Sequence, residues 1–226
     1  MNKERVVKAI IKQGFLPLYF HPDENISVEI LGVLYESGVR VVEFTNRGKQ
    51  ALKNLRSLAK ACYNRFPDLI LGLGTVMDSK TGAKAIQNGA DFLVSPGYTK
   101  ELSRFCDNES ILWIPGCMSP SELIQVQNDS LGLVKIFPAS SLGPGFLKSA
   151  LEIFPDLLFM PTGGINVDQV NAWFTAGASA IGMGGSLISK SSMDNRDFED
   201  IKLKINIVTK QIADIRTSGK AYPDAG

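Results

Sequence analysis

Lys135 stands in the apolar run Val134-Lys135-Ile136-Phe137-Pro138. A lysine among apolar neighbours loses the water that stabilises its ammonium form, so its pKa is expected to fall. The neutral amine can attack a carbonyl and form a Schiff base. Position alone equally admits a lysine that snorkels to solvent at a strand end or pairs with a carboxylate. Glu43 follows Val41-Val42 in a second apolar run. A buried carboxylate without a partner is costly, so it calls for a cation or a task. Near a lysine it can carry protons as general acid and base; the alternative is a structural Lys–Glu ion pair.

Arg47 lies four residues beyond Glu43. Its fork suits a carboxylate such as that of a 2-keto acid, although a solvated surface arginine fits as well. Two glycine turns, Thr162-Gly163-Gly164 and Gly184-Gly185-Ser186, each follow an apolar run. Their bare backbone N–H groups could cradle a phosphate, or they could be tight turns only. His21 is the only histidine, so neither a histidine metal cluster nor a Ser–His triad can form, and a surface-loop histidine is expected. Trp113 and Trp173 read as packing residues.

These residues need elements to hold them. Apolar runs at 16–20, 39–44, 69–73, 92–94, 111–114, 133–137, 158–160 and 180–183 are eight strand candidates. Each is apolar at successive positions, which predicts a sheet covered on both faces. Between them lie amphipathic stretches at about 26–37, 50–65, 79–88, 99–107, 119–128, 145–153 and 167–175. A further helix at 2–13 precedes the first strand, and one at 195–215 follows the last. Asp78, Thr99, Ser119 and Asn166 are candidate N-caps. Gly89-Ala90 and Gly177-Ala178 read as helix-ending turns. Strict strand–helix alternation predicts a parallel sheet with right-handed crossovers. Eight units in 226 residues predict an α/β fold, a single (β/α)8 TIM barrel with an extra N-terminal helix over 1–217, and a loose tail at 218–226. In such a barrel the site lies at the C-terminal strand ends, where all the motifs above are expected.

Composition sets bounds on partners. A hydrophobic content of 44%, 21% charged residues and a net charge of +1 fit a soluble globular protein. That balance gives no field for nucleic acid or an anionic membrane. No run approaches the roughly 18 apolar residues of a membrane span, and no signal peptide is evident. Cys62, Cys106 and Cys117 lack zinc or disulfide spacing, so free thiols in a reducing cytoplasm are expected.

At these motifs the chain resembles the class I pyruvate aldolases that cleave 2-keto-3-deoxy-6-phosphogluconate (KDPG) and 4-hydroxy-2-oxoglutarate (KHG). The resemblance runs from about Val6 to Lys190. It is carried by the stretch from Gly38 to Arg47, by Gly72-Leu73-Gly74-Thr75-Val76, Ser95-Pro96-Gly97, Ile114-Pro115-Gly116 and Lys135-Ile136-Phe137-Pro138-Ala139, and by Pro161-Thr162-Gly163-Gly164-Ile165 and Gly184-Gly185-Ser186. It implies that Lys135 forms the Schiff base and Glu43 transfers protons. Arg47 and Thr75 would hold the pyruvyl carboxylate, and Gly163, Gly164 and Ser186 the phosphate. Pro96, Thr162 and Gly185 would join them in binding substrate. It also implies a homotrimer that uses a small keto acid and needs no metal or other cofactor.

Three stretches depart from the family pattern. Asn46 and Gly48 flank Arg47 where members more often carry an apolar residue and Thr. Ser140 follows Phe137-Pro138-Ala139 where many carry an acidic residue. The loop Phe20-His21-Pro22-Asp23 is unusual. All touch the substrate end of the pocket and leave the aldehyde open. The leading expectation is reversible cleavage of KDPG to pyruvate and D-glyceraldehyde 3-phosphate. KHG, a C4-epimeric substrate and a non-catalytic sugar-phosphate-binding barrel are the alternatives.

Overall fold

A computed structural model describes residues 2–218. Apart from Ser218, the expected loose tail lies outside them. The chain starts with helix α1 (Lys3–Gln13), strand β1 (Phe15–Tyr19), α2 (Glu24–Glu36), β2 (Val41–Thr45), α3 (Ala51–Arg65) and β3 (Ile70–Gly74). It continues with α4 (Ser79–Gln87), β4 (Phe92–Val94), α5 (Lys100–Asn108), β5 (Leu112–Ile114), β6 (Gly116–Cys117), α6 (Pro120–Asn128) and β7 (Leu133–Ile136). After α7 (Ala139–Ile153) and β8 (Leu158–Pro161) come a 3₁₀ turn (Val167–Gln169), α8 (Val170–Thr175), β9 (Ile181–Met183), α9 (Lys190–Asp194) and α10 (Phe198–Thr217).

Local chemistry sets the helix starts. The Asp78 carboxylate accepts the Thr81 N–H at 2.7 Å, and the Thr99 and Ser119 hydroxyls accept those of Leu102 and Glu122. Each satisfies a donor that has no partner inside its helix. Asn166 opens the 3₁₀ turn instead, so the expected helix at 167–175 becomes that turn followed by the short α8. The expected helix at 145–153 is the second part of α7, which opens with a short helical turn from Ala139. That turn is broken off by the left-handed Gly143 and by Pro144, which has no N–H to continue the ladder. Helix α9 falls in a stretch to which the sequence assigned no element, and α10 starts three residues later than expected.

All strand pairs are parallel. They form a six-stranded sheet, β5-β4-β3-β2-β1-β9, and a three-stranded sheet, β6-β7-β8. The eight-strand expectation therefore needs correction: among the described residues there are nine strands in two sheets. The cause is Pro115, which interrupts one apolar run. Leu112–Ile114 pairs with β4, whereas Gly116–Cys117 pairs with β7. A proline cannot donate to a ladder, so the run changes partner around it. At the other junction a single parallel bridge joins Thr162 to Gly182.

The apolar strands feed two cores. Leu16, Val41, Ile70, Phe92, Leu112, Leu133, Met160 and Ala180 form an inner cluster, with Val6 and Ile10 of α1 packed into it. Val42, Phe44, Val134 and Ile136 point the other way, into the larger cluster beneath the helices. Alternation along each strand sends neighbours to opposite cores, so both sets must be apolar. Among the described residues no helix is long and apolar enough to cross a membrane.

Candidate active site

Strand geometry puts both candidate chemical groups on the inner face. Val41, Glu43 and Thr45 share one face of β2, and Leu133 and Lys135 share one face of β7. Val41 and Leu133 belong to the inner apolar cluster. Glu43 and Lys135 stand two residues further along their strands, toward the C-terminal ends. Glu43 is 1% exposed and Lys135 6%. Both line a cavity of about 570 Å³, together with Arg47, Thr75, Pro96, Thr162, Gly163, Gly164, Gly185 and Ser186. The topology thus brings all ten expected site residues to one cavity.

Lys135 and Glu43 face the same space without forming an ion pair, and Lys135 pairs with no carboxylate among the described residues. The Lys135 ammonium lies 4.9 Å from the Phe137 ring centroid. Glu43 Oε2 is buried without a hydrogen-bond partner. Burial raises the Glu43 pKa above the ordinary carboxylate value, and the charges of Lys135 and Arg47 offset part of that rise. A buried carboxyl group placed this way can accept and return a proton.

Neighbouring backbone makes room for these groups. Gly74 is paired with Thr45, and a Cβ at Gly74 would lie 1.7 Å from Glu43 Oε1. Only glycine leaves the carboxylate where it is. Thr75 adopts a left-handed φ of 59°, unusual for a β-branched residue, while the next residue is anchored by Val76 N–H to Val94 O at 3.0 Å. Such a conformation costs on the order of 1–3 kcal/mol and persists where surrounding structure enforces it. Trp113 packs in the core, and its indole N–H donates to Ser95 Oγ at 2.9 Å. Ser95 in turn donates to Gly97 O at 2.6 Å, which holds the loop carrying Pro96.

The two glycine turns meet at one rim. Ser186 Oγ donates to Ile165 O at 2.6 Å, so its hydroxyl ties the turns together. The N–H groups of Gly163, Gly164, Gly185 and Ser186 donate to no acceptor among the described residues. Free donors at one rim suit an anion.

His21 is a correction. It is 7% exposed, not a surface residue. Its Nδ1 accepts the Asp23 N–H at 3.1 Å, and its Nε2 lies 3.2 Å from Asp194 Oδ1 on α9. Asp194 also pairs with Lys190 at 2.5 Å. These two partners, Lys190 foremost, hold the Asp194 carboxyl below its ordinary pKa.

The cavity also takes residues to which sequence reasoning assigned no site role, among them Thr45, Asn166 and Lys190, and it takes Phe20 of the departing loop after β1. Strand alternation would have found Thr45, two residues beyond Glu43; its hydroxyl is buried and unpartnered. Phe20 packs against Phe44, and its ring edge comes within 3.1 Å of where a Gly48 Cβ would stand. Two departures from the family pattern therefore act as one: Gly48 admits the ring of Phe20. Nothing local marked Lys190. Among the described residues no group of three or more His, Cys, Asp or Glu could hold a metal ion. A second cavity of about 710 Å³ opens near α1 and α5 and contains none of the ten expected residues.

Comparison with known proteins points to one family. The family model for KDPG and KHG aldolase matches residues 7–204. The 2-dehydro-3-deoxy-phosphogluconate aldolase of Pseudomonas aeruginosa is 34% identical over 83% of this chain and 84% of its own. The KHG/KDPG aldolase of Escherichia coli is 32% identical over 77% of this chain and 81% of its own. The KDPG aldolase of Legionella pneumophila, solved with pyruvate captured as a covalent carbinolamine, superposes with a TM-score of 0.83 at 28% identity. That match covers 92% of this chain and 98% of the other.

Proposed function

The chain belongs to the KDPG and KHG aldolase family, and on that premise we propose that it reversibly cleaves KDPG to pyruvate and D-glyceraldehyde 3-phosphate through an imine on Lys135. The observation that carries this reading is Lys135 and Glu43, both buried in one cavity and not paired with each other. A structural pair would close on itself. A buried amine and a separate carboxylate are left free to act on a ligand between them.

Lys135 Nζ attacks the C2 keto carbon, and loss of water leaves an iminium. Glu43 takes the C4 hydroxyl proton as the C3–C4 bond breaks, and the electron pair is held as the enamine. The aldehyde leaves, Glu43 returns the proton to C3, and water frees pyruvate from Lys135. Moving protons by a placed carboxylate is worth roughly 10² to 10⁴ in rate. Arg47 and Thr75 hold the carboxylate, Pro96 and Thr162 wall the reacting carbons, and Gly163, Gly164, Gly185 and Ser186 take the phosphate through backbone N–H groups. The lysine chemistry makes this a class I aldolase that works without a metal or other cofactor.

We further propose that the nine strands close as one (β/α)8 barrel forming a single domain over 1–217, with α1 plugging one end. The inner cluster, which draws on strands of both sheets, and the Thr162–Gly182 bridge support closure. The assembly is proposed to be a homotrimer, as the resemblance implies.

The test is borohydride reduction with pyruvate, followed by mass mapping. The expected result is one reduced pyruvyl adduct, on Lys135. An adduct elsewhere, or none, refutes the imine. The Escherichia coli relative carries both substrate names, so KHG is the competing substrate. A pyruvate-release assay on both compounds decides between them; equal kcat/KM would favour KHG and discount the phosphate contacts.

A further inference from the structure

Among the described residues three cationic side chains line the cavity: Arg47, Lys135 and Lys190. The proposed substrate has a carboxylate, a keto carbon and a phosphate. Arg47 and Lys135 are assigned to the first two, which leaves Lys190 and the phosphate. Lys190 follows the Gly184–Ser186 turn closely, and that turn is closed by Ile188 N–H to Gly184 O at 2.8 Å. Lys190 thus borders the same cavity as the two glycine turns, with its ammonium held on Asp194.

We propose that Lys190 is a specificity-determining residue that engages the phosphate of the substrate, moving its ammonium from Asp194 to that group. The inference rests on the phosphate reading above. Two features of the pair support the exchange. The Lys190 side chain is 84% exposed, so its pair with Asp194 is a weakly held surface contact. Asp194 also faces His21 Nε2, so it keeps a partner when Lys190 leaves. A phosphate monoester carries about −1.5 to −2 charges near neutral pH, against one on Asp194, so the ammonium favours the ligand. Buried His21 thereby gains a role: it holds Asp194, and with it Lys190, against the loop that follows β1.

The experiment compares wild type, Lys190→Ala and Lys190→Arg on KDPG and on its unphosphorylated twin, with inorganic phosphate as a competing anion. Lys190→Ala is expected to lower kcat/KM for KDPG about tenfold, mainly through KM, and to weaken phosphate inhibition by a similar factor. The unphosphorylated twin should lose less than threefold, and Lys190→Arg should recover most of the KDPG loss. Equal losses on both compounds would make Lys190 merely structural and overturn the assignment. A wild-type preference for KDPG that Lys190→Ala keeps intact would overturn the assignment alone. No wild-type preference would overturn the phosphate reading and the assignment with it.

Discussion

Replacing Gly74 with alanine should displace the Glu43 carboxylate while leaving Glu43 itself unchanged. An added Cβ would lie 1.7 Å from Oε1, 2.4 Å from Cδ and 2.8 Å from Cγ. Ordinary contact begins near 3.5 Å, so the carboxylate must retreat by roughly 2 Å. A misplacement of about 1 Å can already cost 10² in rate. The expected fall in kcat is therefore at least about 10², bounded near the 10⁴ that a general base supplies. Overpacking of this kind typically costs about 1–3 kcal/mol, a loss that a domain of ordinary stability, about 5–15 kcal/mol, survives. Lys135 lies on another strand, so imine formation should persist. The assays are coupled pyruvate release for kcat, borohydride trapping for the imine and thermal melting for the fold. Gly74→Ala combined with Glu43→Gln should lose little more than either change alone, because both remove the same proton carrier. A folded Gly74→Ala protein with kcat within threefold of wild type would refute the placement argument. Multiplying losses in the double variant would show that Gly74 acts other than through Glu43.

Two further outcomes follow from the same geometry. Burial raises the Glu43 pKa above its unfolded value of about 4.3, so the folded state binds this proton more tightly. The stability this confers is present below the unfolded value and is lost as pH rises through the folded one. Glu43→Gln does not titrate, so its melting temperature minus that of wild type should grow from acid to neutral pH; a constant difference would contradict the buried-carboxyl account. At the phosphate rim, a Cβ on Gly185 would meet nothing within 4 Å, and Gly185 lacks the left-handed φ of 73° that would strain a side chain at Gly164. Gly185→Val should raise KM for KDPG several-fold with little effect on pyruvate trapping, and an unchanged KM would remove Gly185 from the cradle.

The sequence by itself determined which two charged residues stand inside apolar strands. A strand covered on both faces is apolar throughout, so a lysine or glutamate inside such a run stands out, as Lys135 and Glu43 do. Helix starts were equally legible at Asp78, Thr99 and Ser119, because capping is settled within three or four residues. Tertiary structure decided what depends on register across the sheet and on meetings between distant segments. Pro115 looked like the end of a strand, and only its neighbours show that the run changes partner there. His21 looked like a surface residue, and only the packing of its loop against Asp194 of α9 shows that it is buried. Lys190 looked like any solvated lysine, since nothing in its local sequence shows that it borders the cavity of Lys135 and Glu43. Burial and partnership are properties of the packed chain. Local sequence encodes them only where periodicity forces one face inward, as it does for Glu43 and Thr45 along a single strand.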